Sequence, residues 1–263
     1  MTVPVLAFTE PVGPDGGDLL VLGPSLGTST ILWETTLPLV GEGFRVTAWD
    51  LPGHGASIPA AEPFTVGELA DAVAAGARAL GAERVLYAGV SLGGATGLEL
   101  CLRHPGLVRA AAIVASGAQL GDPQAWRDRA AQVRAQSTST LIVSSAQRWF
   151  APDSMAREPV LSGRLLHVLQ DADDESYARC CEALAAYDVR DRLGEIAVPV
   201  LALWGEHDLV APRPKAAEIA GGVRDGRAGE VKGAAHLPPA ERPRDTAEAL
   251  RAFFAEVAER GEP

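Results

Sequence analysis

Two rhythms of apolar residues alternate along the chain. Short aliphatic or β-branched runs at Val3–Thr9, Asp18–Leu22, Phe44–Trp49 and Arg84–Ala88 read as strands, as do Val108–Ala115, Val198–Trp204 and Ala228–Val231. Between them the spacing lengthens to the three or four residues of a helix. One such segment starts near Thr30, with Leu32, Trp33, Leu37 and Val40 on one face. A second opens at Thr65, with Glu68 three residues on as a capping box, and stops at Gly81. A third follows Gly94 and ends at His104, just before Pro105. A closing helix runs from about Arg244 to Glu259. Strands and helices in alternation predict an α/β architecture, a mostly parallel sheet with helices on both faces.

The alternation breaks once. From Gly117 to Asp191 no strand is evident, and helical spacing covers Ala125–Gln136, Thr140–Trp149, Glu158–Gln170 and Glu175–Tyr187. About seventy helical residues after the sixth strand are expected to sit as a cap over the sheet's C-terminal edge. The expected organisation is a core of residues 1–116 and 192–263 and a helical cap of residues 117–191.

Chemistry concentrates at strand ends. Gly89-Val90-Ser91-Leu92-Gly93 lies between the strand at Arg84–Ala88 and the helix after Gly94, the setting of a nucleophile elbow. Such a tight turn leaves no room for flanking side chains and lifts the serine hydroxyl above the sheet at a helix N-terminus. Asp208 follows the strand Val198–Trp204, and His236 follows Ala228–Val231. Ser91, Asp208 and His236 therefore appear in the order nucleophile, acid, base, each after its own strand. Glu206 is a weaker competitor for the acid, and the neighbouring His207 reads as exposed. His54, between Gly53 and Gly55, reads as a turn histidine whose ring fixes a sharp loop by hydrogen bonding.

Bulk properties narrow the partners. The 263-residue chain carries a formal charge of −11, which disfavours nucleic acid and anionic membrane surfaces. An anionic substrate then needs a local cationic pocket, and the cap supplies Arg127, Arg129, Arg134, Arg148 and Arg179 beside Trp126 and Trp149. Three cysteines, two of them adjacent, provide no disulfide framework, and no Cys/His cluster has zinc spacing. Neither a metal nor a cofactor is expected. The first residues lack a basic region and a long apolar run, so the expected location is the cytoplasm. Oligomeric state leaves no trace in the pattern.

With these residues in place the chain resembles the α/β hydrolases and, within them, the 3-oxoadipate enol-lactonase family. Ser25-Leu26-Gly27-Thr28, Gly53-His54-Gly55-Ala56-Ser57 and Ser91-Leu92-Gly93-Gly94 carry the resemblance in the core. Arg148-Trp149-Phe150, Tyr177-Ala178-Arg179-Cys180-Cys181 and Asp188-Val189-Arg190-Asp191 carry it in the second half. Pro24 and Pro238-Pro239 depart from the family pattern, in the oxyanion loop and the base loop respectively.

The resemblance implies an eight-stranded sheet with the cap inserted after strand 6. It implies an oxyanion hole formed by the N–H groups of Leu26 and Leu92, and a small lactone substrate with one free carboxylate. Ser91 would open that ring through an acyl-enzyme to give 3-oxoadipate, a step of aromatic-compound catabolism. Arg134, with Trp126 and Trp149, is the expected carboxylate clamp. Other readings are a different carboxylesterase or lactonase of the same fold, a cofactor-free haloperoxidase, and a non-enzymatic ligand-binding protein. A haloalkane dehalogenase would need an aspartate where Ser91 stands.

Overall fold

The computed structural model describes residues 2–14 and 16–260. Its strands are β1 (Leu19–Gly23), β2 (Arg45–Ala48), β3 (Val85–Val90), β4 (Val108–Val114), β5 (Pro199–Gly205) and β6 (Asp225–Val231). They pair in parallel in the order β2-β1-β3-β4-β5-β6. Every residue of β1 and β3 is buried, because helices cover both faces and leave no polar side to alternate. The edge strand β6 carries Asp225, Arg227 and Glu230 and is mostly half-exposed, a composition that discourages pairing with another chain.

In the first half, α1 (Leu37–Val40), α2 (Val66–Ala79) and α3 (Leu92–Arg103) link the strands. The capping box on α2 forms in full: the Glu68 N–H donates to Thr65 Oγ1 at 3.1 Å, and the Thr65 N–H donates to Glu68 Oε2 at 2.8 Å. Helix α3 packs over β1, β3 and β4. Between β4 and β5 come α4 (Pro123–Gln136), α5 (Ile142–Trp149), α6 (Ser154–Arg157), α7 (Pro159–Asp171) and α8 (Asp174–Ala186). Of these, α4 and α8 pack against each other. The chain closes with α9 (Arg213–Gly222) on β5 and β6, α10 (Pro238–Glu241) and α11 (Pro243–Glu259).

Among the described residues the expected eight-stranded sheet has six strands, all parallel. The segment at Val3–Thr9 forms no strand ladder: it makes one isolated antiparallel bridge, Phe8 with Trp49, and a second bridge, Val12 with Val46, follows just beyond it. Pro4 and Pro11 have no N–H to offer a ladder, so the segment touches the sheet edge at separate points. The helical insertion consequently follows the fourth strand of this sheet rather than a sixth.

Candidate active site

Ser91 sits between β3 and α3 at φ 54° and ψ −112°, a conformation that a residue with a Cβ rarely adopts. The surrounding structure holds it there. Its N–H donates to the Val114 carbonyl at 2.9 Å, and its carbonyl accepts from Ser116 Oγ at 2.7 Å. The flanking glycines are sterically required. A Cβ on Gly89 would collide with the Gly93 carbonyl, and one on Gly93 would stand 2.6 Å from the Pro24 oxygen. Tyr87, buried beneath the turn, donates its hydroxyl to the Gly93 carbonyl at 2.7 Å.

The loop after β1 is fastened to this elbow. The Gly93 N–H donates to the Pro24 carbonyl at 3.0 Å, so Pro24 uses the one backbone group it retains. Leu26 then lines the same cavity as Ser91. Leu92 opens α3, where a backbone N–H has no carbonyl one turn earlier to bond. Behind Leu26, the Gly27 N–H donates to His54 Nε2 at 3.3 Å while His54 Nδ1 donates to the Pro52 carbonyl at 2.9 Å. Burial, opposed by that carbonyl and by Asp173, pushes the His54 imidazole down to about 4, so the ring works as a neutral strut. The sequence reading of His54 as a turn-fixing ring agrees with these contacts.

Asp208 and His236 meet at the other side. His236 Nδ1 donates to the Asp208 carboxylate, 3.1 Å from Oδ2 and 3.2 Å from Oδ1. The Val210 and Ala211 N–H groups also donate to Asp208 Oδ1, at 2.8 and 3.1 Å. Burial pushes this carboxyl up, but His236 and the two N–H groups outweigh it and hold it below the usual carboxylate range. Asp208 is thus an anion oriented on the imidazole, which leaves Nε2 as the free ring nitrogen. Glu206 lies outside this pairing, exposed and accepting the Gly233 N–H at 2.8 Å, with His207 beside it also exposed. Pro238 and Pro239 begin α10, the position where a missing N–H costs nothing.

A cavity of about 270 Å³ joins these groups, with Ser91, His236, Leu26 and Ser25 at its floor. Its upper wall comes from the helices between β4 and β5: Trp126 and Arg129 on α4, Arg148 and Trp149 on α5, and Tyr177 on α8. Both expected tryptophans are there, and Trp126 is fixed by donating Nε1 to the Leu120 carbonyl at 2.6 Å. The expected arginine is not. Arg134 lies outside the cavity, where its guanidinium pairs with Glu175 at 2.8 Å and Glu182 at 2.5 Å and is held above its usual range.

Arg129 and Arg148 occupy the cationic position instead. Arg129 lies 4.9 Å above the Trp126 ring. Burial and the like charge of Arg129 push Arg148 below the usual guanidinium range. Neither has a carboxylate partner among the described residues, whereas Arg134, Arg164, Arg190 and Arg227 do. The packing of α8 against α4 makes this choice. Glu175 and Glu182, a helical two turns apart on α8, sit opposite Arg134 and neutralise it. Among the described residues no three His, Cys, Asp or Glu side chains converge in a way that could hold a metal ion. No helix among them is long and apolar enough to cross a membrane.

The profile of the alpha/beta hydrolase fold family matches residues 18–243. The chain belongs to this family. The hydrolase is 34% identical, over 73% of its length and 72% of the relative's, to 3-oxoadipate enol-lactonase 2 of Acinetobacter baylyi. It is 30% identical to 3-oxoadipate enol-lactonase 1 of the same organism, over 75% of this chain and 74% of the relative. Its fold superposes on the crystal structure of the enol-lactonase from Burkholderia xenovorans LB400 with a TM-score of 0.91 and 31% identity, covering 95% of this chain and 96% of the other. The family resemblance read from the sequence is thus met by the comparisons.

Proposed function

We propose that this hydrolase opens the lactone ring of 3-oxoadipate enol-lactone to 3-oxoadipate. The observation that carries the reading is the presence, in one cavity, of Ser91 and His236 together with Arg129 and Arg148, which have no carboxylate partner among the described residues. A reacting ester carbonyl at Ser91 and a free carboxylate at Arg129 and Arg148 fit one small anionic lactone. The kinship with two 3-oxoadipate enol-lactonases supports the same substrate.

In this reading residues 117–191 act as the cap and residues 1–116 and 192–263 as the core. His236 Nε2 takes the proton of Ser91 as the hydroxyl attacks the lactone carbonyl, and Asp208 holds the imidazole in the tautomer with Nδ1 protonated. The Leu26 and Leu92 N–H groups receive the tetrahedral oxyanion, and losing one such donor costs roughly a hundred- to thousandfold in rate. Ring opening expels an enolate that stays tethered to the acyl-enzyme. Its conversion to the ketone removes the nucleophile that would close the ring again, and water then completes deacylation through His236.

The test is purified protein with the enol-lactone, following the loss of ultraviolet absorbance, beside a panel of neutral esters. The reading expects the lactone to be turned over with the highest kcat/KM, and Ser91→Ala to abolish the reaction. A neutral ester preferred over the lactone makes the protein a different carboxylesterase. Absence of both activities, with no labelling of Ser91 by a serine-directed phosphonate, makes it a binding protein.

A further inference from the structure

Glu241 ends α10, is 5% exposed, and lines no part of the catalytic cavity. Its carboxylate is nonetheless committed on both oxygens. Oε1 accepts the N–H groups of Ala235 at 2.8 Å and Leu237 at 3.3 Å, the residues on either side of His236. Oε2 accepts the N–H of Ala151 at 2.6 Å, two residues beyond Trp149. The His236 N–H in turn donates to the Trp149 carbonyl at 3.1 Å. Base loop and cavity wall are therefore closed into one hydrogen-bonded ring through a single carboxylate.

We propose that Glu241 is a positioning residue for the reaction, holding His236 in register with Asp208 and with the Trp149 wall. The inference rests on the reading of Ser91, Asp208 and His236 given above. No lysine, arginine or histidine pairs with Glu241 among the described residues, so backbone N–H groups alone answer its buried charge. An unpaired carboxylate is costly to bury, and three charge-assisted hydrogen bonds offset that cost. A carboxylate is also the one side chain of this size with acceptors at both ends. Glutamine keeps the shape but turns an NH₂ toward an N–H donor, so one side of the ring must open.

The experiment is a double-mutant cycle in the full-length protein, reading kcat for p-nitrophenyl acetate, a neutral ester that needs no arginine. Glu241→Gln is expected to lower kcat by roughly ten- to a hundredfold, because a displacement of about 1 Å of a catalytic group costs that much. Its KM is expected to stay within about threefold. In the Asp208→Asn background the same change is expected to cost less than about twofold, since the imidazole has already lost its orientation there. The proposal is overturned if Glu241→Gln keeps the wild-type kcat, or if it costs the same factor in both backgrounds, as a purely structural residue would. Where Glu241→Gln does not fold, Ala151→Pro removes the wall-side donor, at a site preceded by Phe150 in the extended conformation that a following proline favours (φ −114°, ψ 135°). A kcat lowered at least about threefold then supports the proposal, and a wild-type kcat overturns it. Ser91→Ala separates the two levels. Wild-type activity in that variant sinks the reading of the site itself, whereas an inactive Ser91→Ala beside an unaffected Glu241→Gln sinks only the role of Glu241.

Discussion

The backbone N–H of His236 donates to the carbonyl of Trp149 at 3.1 Å. The residue whose imidazole would move the proton and the residue whose indole walls the cavity are thus joined backbone to backbone, although they lie far apart in sequence. On the proposed function, the base loop and the substrate wall are therefore mechanically linked.

Arginine substitutions divide by location. Arg148→Met and Arg129→Met are each expected to raise KM for the enol-lactone by roughly ten- to a hundredfold, the worth of a charged hydrogen bond. Neutral esters should be cleaved at near wild-type rates by both. Arg134→Met should leave both substrates unaffected, because its guanidinium already serves Glu175 and Glu182 outside the cavity. Steady-state kinetics on the two substrates checks this, and a clamp at Arg134 would reverse the pattern.

Asp208→Asn is expected to lower kcat by about three to four orders of magnitude while Ser91 and the cavity stay in place. The amide cannot hold the imidazole in the tautomer that leaves Nε2 free. Phosphonate labelling of Ser91 should slow in parallel with ester cleavage, and undiminished labelling would show that His236 acts without Asp208.

Stability should report the strain at the elbow. Ser91→Ala and Ser91→Gly both remove the hydroxyl, but only glycine adopts φ 54° and ψ −112° without penalty. The glycine variant is expected to be more stable than the alanine variant by about 1 kcal/mol, seen as a Tm higher by about 2 to 4 °C. Equal melting temperatures would mean that the turn stores no strain.

His54 predicts a specific pH response. Its folded pKa is lowered to about 4 from 6.5, so the unfolded chain takes up a proton that the folded protein refuses. The resulting loss of stability begins as pH falls below about 6.5, grows to about 3 kcal/mol near pH 4, and levels off below that. Urea midpoints from pH 7.5 down to pH 4.5 test it. His54→Gln, which cannot gain the proton, should show a flatter profile across that window.

The sequence by itself determined the scaffold and the placing of the candidate residues along it. Ser91 between two glycines admits one backbone path, because side chains at Gly89 and Gly93 would strike carbonyls, and this local constraint is written in five consecutive residues. Asp208 follows β5, an apolar run that both faces of a parallel sheet must bury, so its place at a strand end was legible too. His236 follows the edge strand β6, of which only the end Ala228–Val231 was legible, because its first half carries charge and is half-exposed. Hydrophobic rhythm alone could not settle the sheet's edge. Val3–Thr9 is apolar enough for a strand, but Pro4 within it and Pro11 just after it break the ladder that only pairing reveals. Nor could it settle which arginine serves the cavity, since Arg129 and Arg134 both lie on α4 with no local difference between them. Charge is spent across space: α8 brings Glu175 and Glu182 to Arg134 and leaves Arg129 and Arg148 facing the cavity without a carboxylate. The carboxylate of Glu241 belongs to the same class, because its three donors come from two loops that only the folded chain brings together.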